Sequence, residues 1–172
     1  VSDGVAGIRE AIADAARQLS EACAKDELLA DLTQRKRLLG LVRPPVFVPR
    51  GRVWRLGVLL LDQAGTLYAT GTITRATETG RPTYQSASVE ERREYRATAV
   101  RSGLPAGETV NFNARPIELD DAILIDTNGP LFLRDGLPFV RWSHAFGDAS
   151  AMPLEDYLRD RVDLLVHPPE GA

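Results

Sequence analysis

Ser143, His144 and Asp148 place a hydroxyl, an imidazole and a carboxylate in one short stretch, the only local set in the chain with all three. Together they could activate the serine for attack on an amide. Adjacent Ser and His side chains point to opposite faces of a strand, and a working Ser-His-acid relay draws on distant segments. No Gly-x-Ser-x-Gly elbow occurs anywhere in the chain. The stretch therefore reads first as loop chemistry after a strand ending at Trp142. Catalysis by Ser143 and His144 with a remote carboxylate is the alternative.

His144 and His167 are the only histidines, there is no His-x-x-x-His, and Cys23 is the only cysteine, so no zinc signature exists. Asp120, Asp121, Asp126 and Asn128 carry oxygens suited to a hard cation, but they read better as strand-entry and turn residues. No metal site is expected. Without a Gly-x-Gly-x-x-Gly or phosphate-loop motif, no cofactor is expected either.

Anion binding is the remaining chemistry. Arg43, Arg50, Arg52 and Arg55 flank Phe47 and Trp54, and arginine reads phosphates and carboxylates better than lysine. Arg50, Arg52, Arg55 and Trp54 are thus candidate ligand-binding residues. A second cluster, Arg92, Arg93, Arg96 and Arg101, is interrupted by Glu90, Glu91 and Glu94. Salt bridges at helical spacing explain it, which argues against a nucleic-acid partner.

Charge is unevenly spread over the 172 residues. Residues 41–101 carry ten bases and five acids, and residues 102–172 five bases and twelve acids. Halves of opposite sign usually neutralise each other on folding. No apolar run approaches the roughly 20 residues of a membrane span, and Asp3, Arg9, Glu10 and Asp14 interrupt any signal-peptide core. With a single cysteine, the expected setting is the reducing cytoplasm.

The elements that must position these residues follow from periodicity. Val5, Ile8, Ile12, Ala15, Leu19 and Cys23 form one helical stripe, placing Cys23 on a packing face. Asp26 reads as the cap of a second helix, Glu27–Leu39, stopped by Gly40. Leu41 to Gly51, with three prolines, reads as an extended connector. Val53–Leu61 and Thr66–Thr74 read as a central hairpin around Asp62–Gly65, with Leu60 buried on both sides. A helix over Ser88–Ser102 turns Val89, Tyr95, Ala99 and Val100 inward. Glu108–Asn113, Asp121–Thr127, Leu131–Arg134 and Leu137–Trp142 read as a meander, with Asn128-Gly129 and Asp135-Gly136 as its turns. Pro153 opens a closing helix whose apolar side is Leu154, Tyr157, Leu158, Val162 and Leu165.

The expected fold class is α+β: an antiparallel sheet of five to six strands covered by N-terminal helices, one middle helix and a C-terminal helix. Residues 1–172 form one domain in this reading, with a helical hairpin over 1–40, a proline-rich connector over 41–52 and an α+β core over 53–172.

Trp54-Arg55-Leu56-Gly57, Gly80-Arg81-Pro82-x-Tyr84-Gln85-Ser86, Glu90-Glu91-Arg92-Arg93 and the segment Arg161–Pro169 carry a resemblance. From about residue 40 onward the chain resembles a group of short actinobacterial proteins of unassigned role, some labelled glutaminase. That label implies amide hydrolysis. The Ser-x-x-Lys motif of serine-type glutaminases is absent, because Ala22 and Thr33 stand three before the two lysines. Cys23 lies in Glu-Ala-Cys-Ala-Lys rather than in a glycine-rich amidotransferase elbow. The leading expectation is a non-catalytic cytosolic domain that binds a small ligand or protein partner and associates as a homo-oligomer. The alternative is an amide hydrolase using Ser143 and His144.

Overall fold

The computed structural model describes residues 3–34, 40, 43–78, 87–143 and 147–169. Its elements are α1 (Asp3–Glu21), β1 (Glu27–Thr33), β2 (Val46–Leu56), β3 (Leu59–Asp62), β4 (Leu67–Ala69), β5 (Thr72–Arg75), α2 (Ala87–Arg101), β6 (Thr109–Phe112), β7 (Arg115–Pro116), α3 (Asp121–Asp126), β8 (Leu131–Arg134), β9 (Leu137–Val140), β10 (Met152–Pro153) and α4 (Leu154–Val166). Seven strands follow the order β5-β6-β1-β2-β3-β4-β7, and three more the order β10-β9-β8. The class is α+β. The pairings β2–β3, β3–β4, β4–β7 and β5–β6 are antiparallel, whereas β1 and β6 run parallel with Leu28 opposite Val110.

The chain divides into two compact units. The first comprises Val1–Asp26, Val53–Thr70 and Arg115–Ala172. Here the α1 stripe Val5, Ile8, Ile12, Ala15 and Leu19 is buried against Leu154, Tyr157, Leu158 and Val162 of α4, and against Trp54, Leu56, Leu59 and Leu61. Each fully buried aliphatic side chain contributes about 1.5–3 kcal/mol. The second unit, Glu27–Arg52 and Gly71–Ala114, has its own core of Leu28, Ala30, Phe47, Ala76, Ala99, Val110 and Phe112. Phe112 stands edge-on to Phe47 (4.9 Å) and to Tyr95 (4.8 Å), a geometry that aromatic quadrupoles favour.

Several sequence expectations fail for identifiable reasons. Glu27–Thr33 is a strand, not the start of a second helix. Leu28 and Ala30 face the α2 core while Leu29 points the other way, the alternation of a strand, and non-local pairing with β6 outweighs local helix propensity. The rest of that expected helix, residues 35–39, lies outside the described residues. The connector over 41–52 is strand β2 from Val46 onward, Pro49 included.

The central hairpin is two turns rather than one. Leu56 pairs with Leu59, so Gly57 and Val58 form a two-residue loop in the middle of the apolar run. Gly57 has φ +66°, which the first loop position of a tight hairpin turn requires. Leu60 is fully buried, as expected. The second run also splits: β4 pairs with β3, but β5 leaves to pair with β6. Gly71 sits at that parting, where any Cβ would collide with the Phe112 carbonyl.

Asp121–Asp126 is helical, because Asp120 Oδ1 accepts from the Ala122 and Ile123 amides and caps the N-terminus. Asn128-Gly129 therefore joins a helix to a strand and is not a hairpin turn. Asp135-Gly136 is one: both residues have positive φ, and Arg134 pairs with Leu137. Val100, expected to face inward, is 43% exposed.

Cys23 is exposed and lies beyond the end of α1. It has φ 49°, while Ala24 N–H donates to the Leu19 carbonyl and Cys23 N–H to that of Ser20. This is a Schellman closure with cysteine at the position glycine usually holds.

Candidate functional site

Within the first unit, a groove of about 460 Å³ opens beside β7. Ala69, Pro116, Ile117, Ile123 and Leu131 line it together with Arg115, Glu118 and Asn128. Its size falls within the range of ligand sites, and its lining mixes polar and apolar surface in near-equal shares. β7 is held to β4 by the Ala69–Arg115 and Tyr68–Pro116 pairs, and the Ile117 amide donates to the Leu67 carbonyl at 2.8 Å. A six-residue helix cannot turn three consecutive aliphatics inward. Leu124 is buried, while Ile123 stays 44% exposed beside the groove.

The 127–130 loop also lines the groove, and Arg141 holds that loop. The Arg141 guanidinium donates to the Thr127 carbonyl (3.0 Å) and the Gly129 carbonyl (2.7 Å), and its backbone N–H donates to the Pro130 carbonyl (2.7 Å). It stacks over Phe132, with 3.8 Å to the ring centre. Arg141 Nε and Nη2 both engage the Asp148 carboxylate. Arginine's fork can serve two carbonyls and a carboxylate at once, which lysine cannot.

Asp148, a candidate catalytic acid on sequence grounds, is thus tied to Arg141. The hydrogen bond from Arg141, followed by the charges of Arg141 and Arg134, holds its carboxyl below the usual range. A carboxylate so held is a poor general base near neutrality. Ser143 follows β9 and has hydrogen-bonding or contact partners of its own, and His144 lies outside the described residues.

The four anion-binding candidates divide between the units. In the first, Trp54 is 3% exposed and its indole N–H donates to the Ala24 carbonyl, so its ring serves the core and offers no face for stacking. Arg55 is half-buried with partners of its own. In the second, Arg50 lies 3.5 Å from Asp31, and Arg52 donates to Glu108 at 2.9 Å. The Arg115 side chain, in contrast, has no hydrogen-bond or ion-pair partner among the described residues. Sequence reading missed Arg115, Ile123 and Arg141. The signal available was Asp120, whose capping role makes 121–126 a helix and turns Ile123 outward.

Among the described residues no three His, Cys, Asp or Glu side chains group as metal ligands, and no helix is long and apolar enough to cross a membrane. No family model, no curated protein and no solved structure matches the chain.

Proposed function

We propose that the chain is a non-catalytic binding protein whose groove beside β7 takes a small ligand with an apolar body and an anionic end. The observation that carries this reading is the Arg115 guanidinium, unpartnered among the described residues, in a groove that Ala69, Ile117, Ile123 and Leu131 also line. Arginine forks match carboxylates and sulfonates, and an apolar body would cover Ile117 and Ile123. A cytoplasmic setting goes with it, supported by the single, exposed cysteine. The amide-hydrolase reading gains no support from Asp148, whose carboxylate Arg141 occupies.

The probe is 8-anilinonaphthalene-1-sulfonate, an apolar fluorophore with an anionic end. Its enhancement with the native protein should fall in Arg115→Glu and in Ile123→Ser. Ile125→Ser serves as control, since Ile125 is 61% exposed but does not line the groove. Equal losses in all three variants, or in none, would end the groove reading. Ammonia release from glutamine above a blank, abolished by Ser143→Ala, would favour the hydrolase instead.

A further inference from the structure

The edge strand β5 carries an inference independent of the groove. Ala76 N–H donates to the Glu108 carbonyl at 2.9 Å, in the same register that pairs Thr74 with Val110 and Thr72 with Phe112. Antiparallel pairs alternate, so Thr72, Thr74 and Ala76 bond towards β6 while the backbone groups of Ile73 and Arg75 point out of the sheet. Thr77 N–H reaches the Arg75 carbonyl. The Ile73 N–H and carbonyl have no partner among the described residues.

Side chains alternate in step. Thr74 is on the face of Val110, which belongs to the core under α2, so Ile73 and Arg75 occupy the opposite face. Ile73 is 47% exposed there, in one cross-strand row with the buried Asn111 and Leu29. An exposed Ile beside unpaired edge amides is what protective features normally prevent. β5 has no proline and no bulge, and Arg75 is its single charge.

We propose that β5 pairs with β5 of a second copy, antiparallel, about a two-fold axis through Thr74. Three facts select this occupant. In this register Ile73 faces the partner's Arg75 and Arg75 the partner's Ile73, so the outward N–H and carbonyl of Ile73 and the N–H of Arg75 gain partners, the Arg75 carbonyl accepts a second bond beside that of Thr77, and no two arginines stand opposite. The two Ile73 side chains become diagonal neighbours on one face and cover each other. The other edge of the seven-stranded sheet is blocked. In β7 the Ala69–Arg115 pair bonds to β4, so the outward residue is Pro116, which has no N–H to donate. One open and one blocked edge give a closed dimer and no fibre.

Sedimentation velocity of the full chain over a concentration series is the test. Native protein should pass from monomer to dimer and stop there. Ile73→Pro removes an outward donor without touching a bond to β6. The two N–H groups lost per dimer correspond to roughly thirtyfold weaker association. Ile73→Lys should weaken it too, by bringing four cations to the seam. Should the proline variant fail to fold, the lysine variant and concentration-dependent protection of the Ile73 and Arg75 amides against hydrogen exchange still decide. Monomer at every concentration, a dimer unmoved by both substitutions, or association beyond two copies would each overturn the proposal.

Discussion

The Tyr157 hydroxyl stands where a Cβ on Gly57 would have to go. It accepts from the Val58 amide at 2.9 Å and donates to the Leu56 carbonyl at 2.7 Å, so one phenol closes both sides of the β2–β3 turn. Gly57 is thus constrained twice, by its φ of +66° and by the space the hydroxyl fills. A link from α4 to a turn about a hundred residues earlier fastens the ends of the first unit's chain to its middle.

Tyr157→Phe should cost about 1–3 kcal/mol, because it removes the acceptor of the half-buried Val58 amide and one of the donors to the Leu56 carbonyl. Gly57→Ala should cost more, from positive φ and collision together. The double variant should be less destabilised than the sum, since Phe removes the atom the new methyl strikes. Urea unfolding of the four proteins measures the coupling. Strict additivity would mean that the methyl and the hydroxyl do not compete for space.

Two Gly-containing dipeptides look alike in sequence and behave differently in the fold. At Gly136, with φ +77°, Ala should cost about 1 kcal/mol or more, because the Asp135-Gly136 turn needs left-handed backbone. At Gly129, which has no positive φ, the new Cβ meets only Thr127 Oγ1 at 3.1 Å, and Ala should cost less. Thermal melts rank the pair, and the reverse order would place the hairpin at Asn128-Gly129 after all.

That contrast shows what the sequence could carry. Elements with a sustained period were legible: the stripe from Val5 to Leu19 and the closing helix from Leu154. Short apolar runs were not. Leu28-Leu29-Ala30 and Ile123-Leu124-Ile125 suit either a helix or a strand locally, and the parallel partner β6 or the Asp120 cap decided each. The groove was illegible for a related reason. Its residues come from β4, β7, α3 and the 127–130 loop, and Arg141 unites that loop only through carbonyls that no motif marks.

Cys23 occupies a glycine position. Cys23→Gly should stabilise the protein by roughly 1 kcal/mol, by relieving left-handed backbone at the close of α1. The native thiol should alkylate quickly under folded conditions, since it is exposed. Slow alkylation together with a destabilised glycine variant would return Cys23 to a packing role.

The Arg141–Asp148 pair gives a signed pH dependence. The folded carboxyl of Asp148 sits below its usual value, chiefly through the Arg141 hydrogen bond. Its contribution is therefore present above about pH 4, where the unfolded group ionises, and is lost as pH falls through the depressed folded value. Asp148→Asn should be less stable than the parent at neutral pH, and the gap should close below about pH 4. Hydrogen exchange at Gly129 should quicken in the same variant, because Arg141 loses the carboxylate that orients it. An unchanged gap across the acid range would mean that the pair contributes nothing to folding.

Asn111 offers the sharpest electrostatic test in the second unit. It is wholly buried, and its Nδ2 donates to Glu27 Oε2 at 2.7 Å and, more weakly, to the Leu28 carbonyl at 3.4 Å. Only a donor fits between those two acceptors. Asn111→Asp keeps the shape but turns the donor into a carboxylate facing another carboxylate, and the buried charge should cost about 3–5 kcal/mol at neutral pH. Burial and the neighbouring charge both push the new carboxyl upward, so the folded state binds a proton that the unfolded state does not hold at the same pH. The variant should therefore regain stability as pH falls through that raised value, opposite in sign to the Asp148 effect. Asn111→Leu removes the hydrogen bond without adding a charge, so it should lose stability without recovering it on acidification. Denaturant midpoints for the three proteins, taken from neutral to mildly acidic pH, separate charge from shape. If the Asp variant matches the parent at neutrality, the Asn111 side chain is not buried in solution.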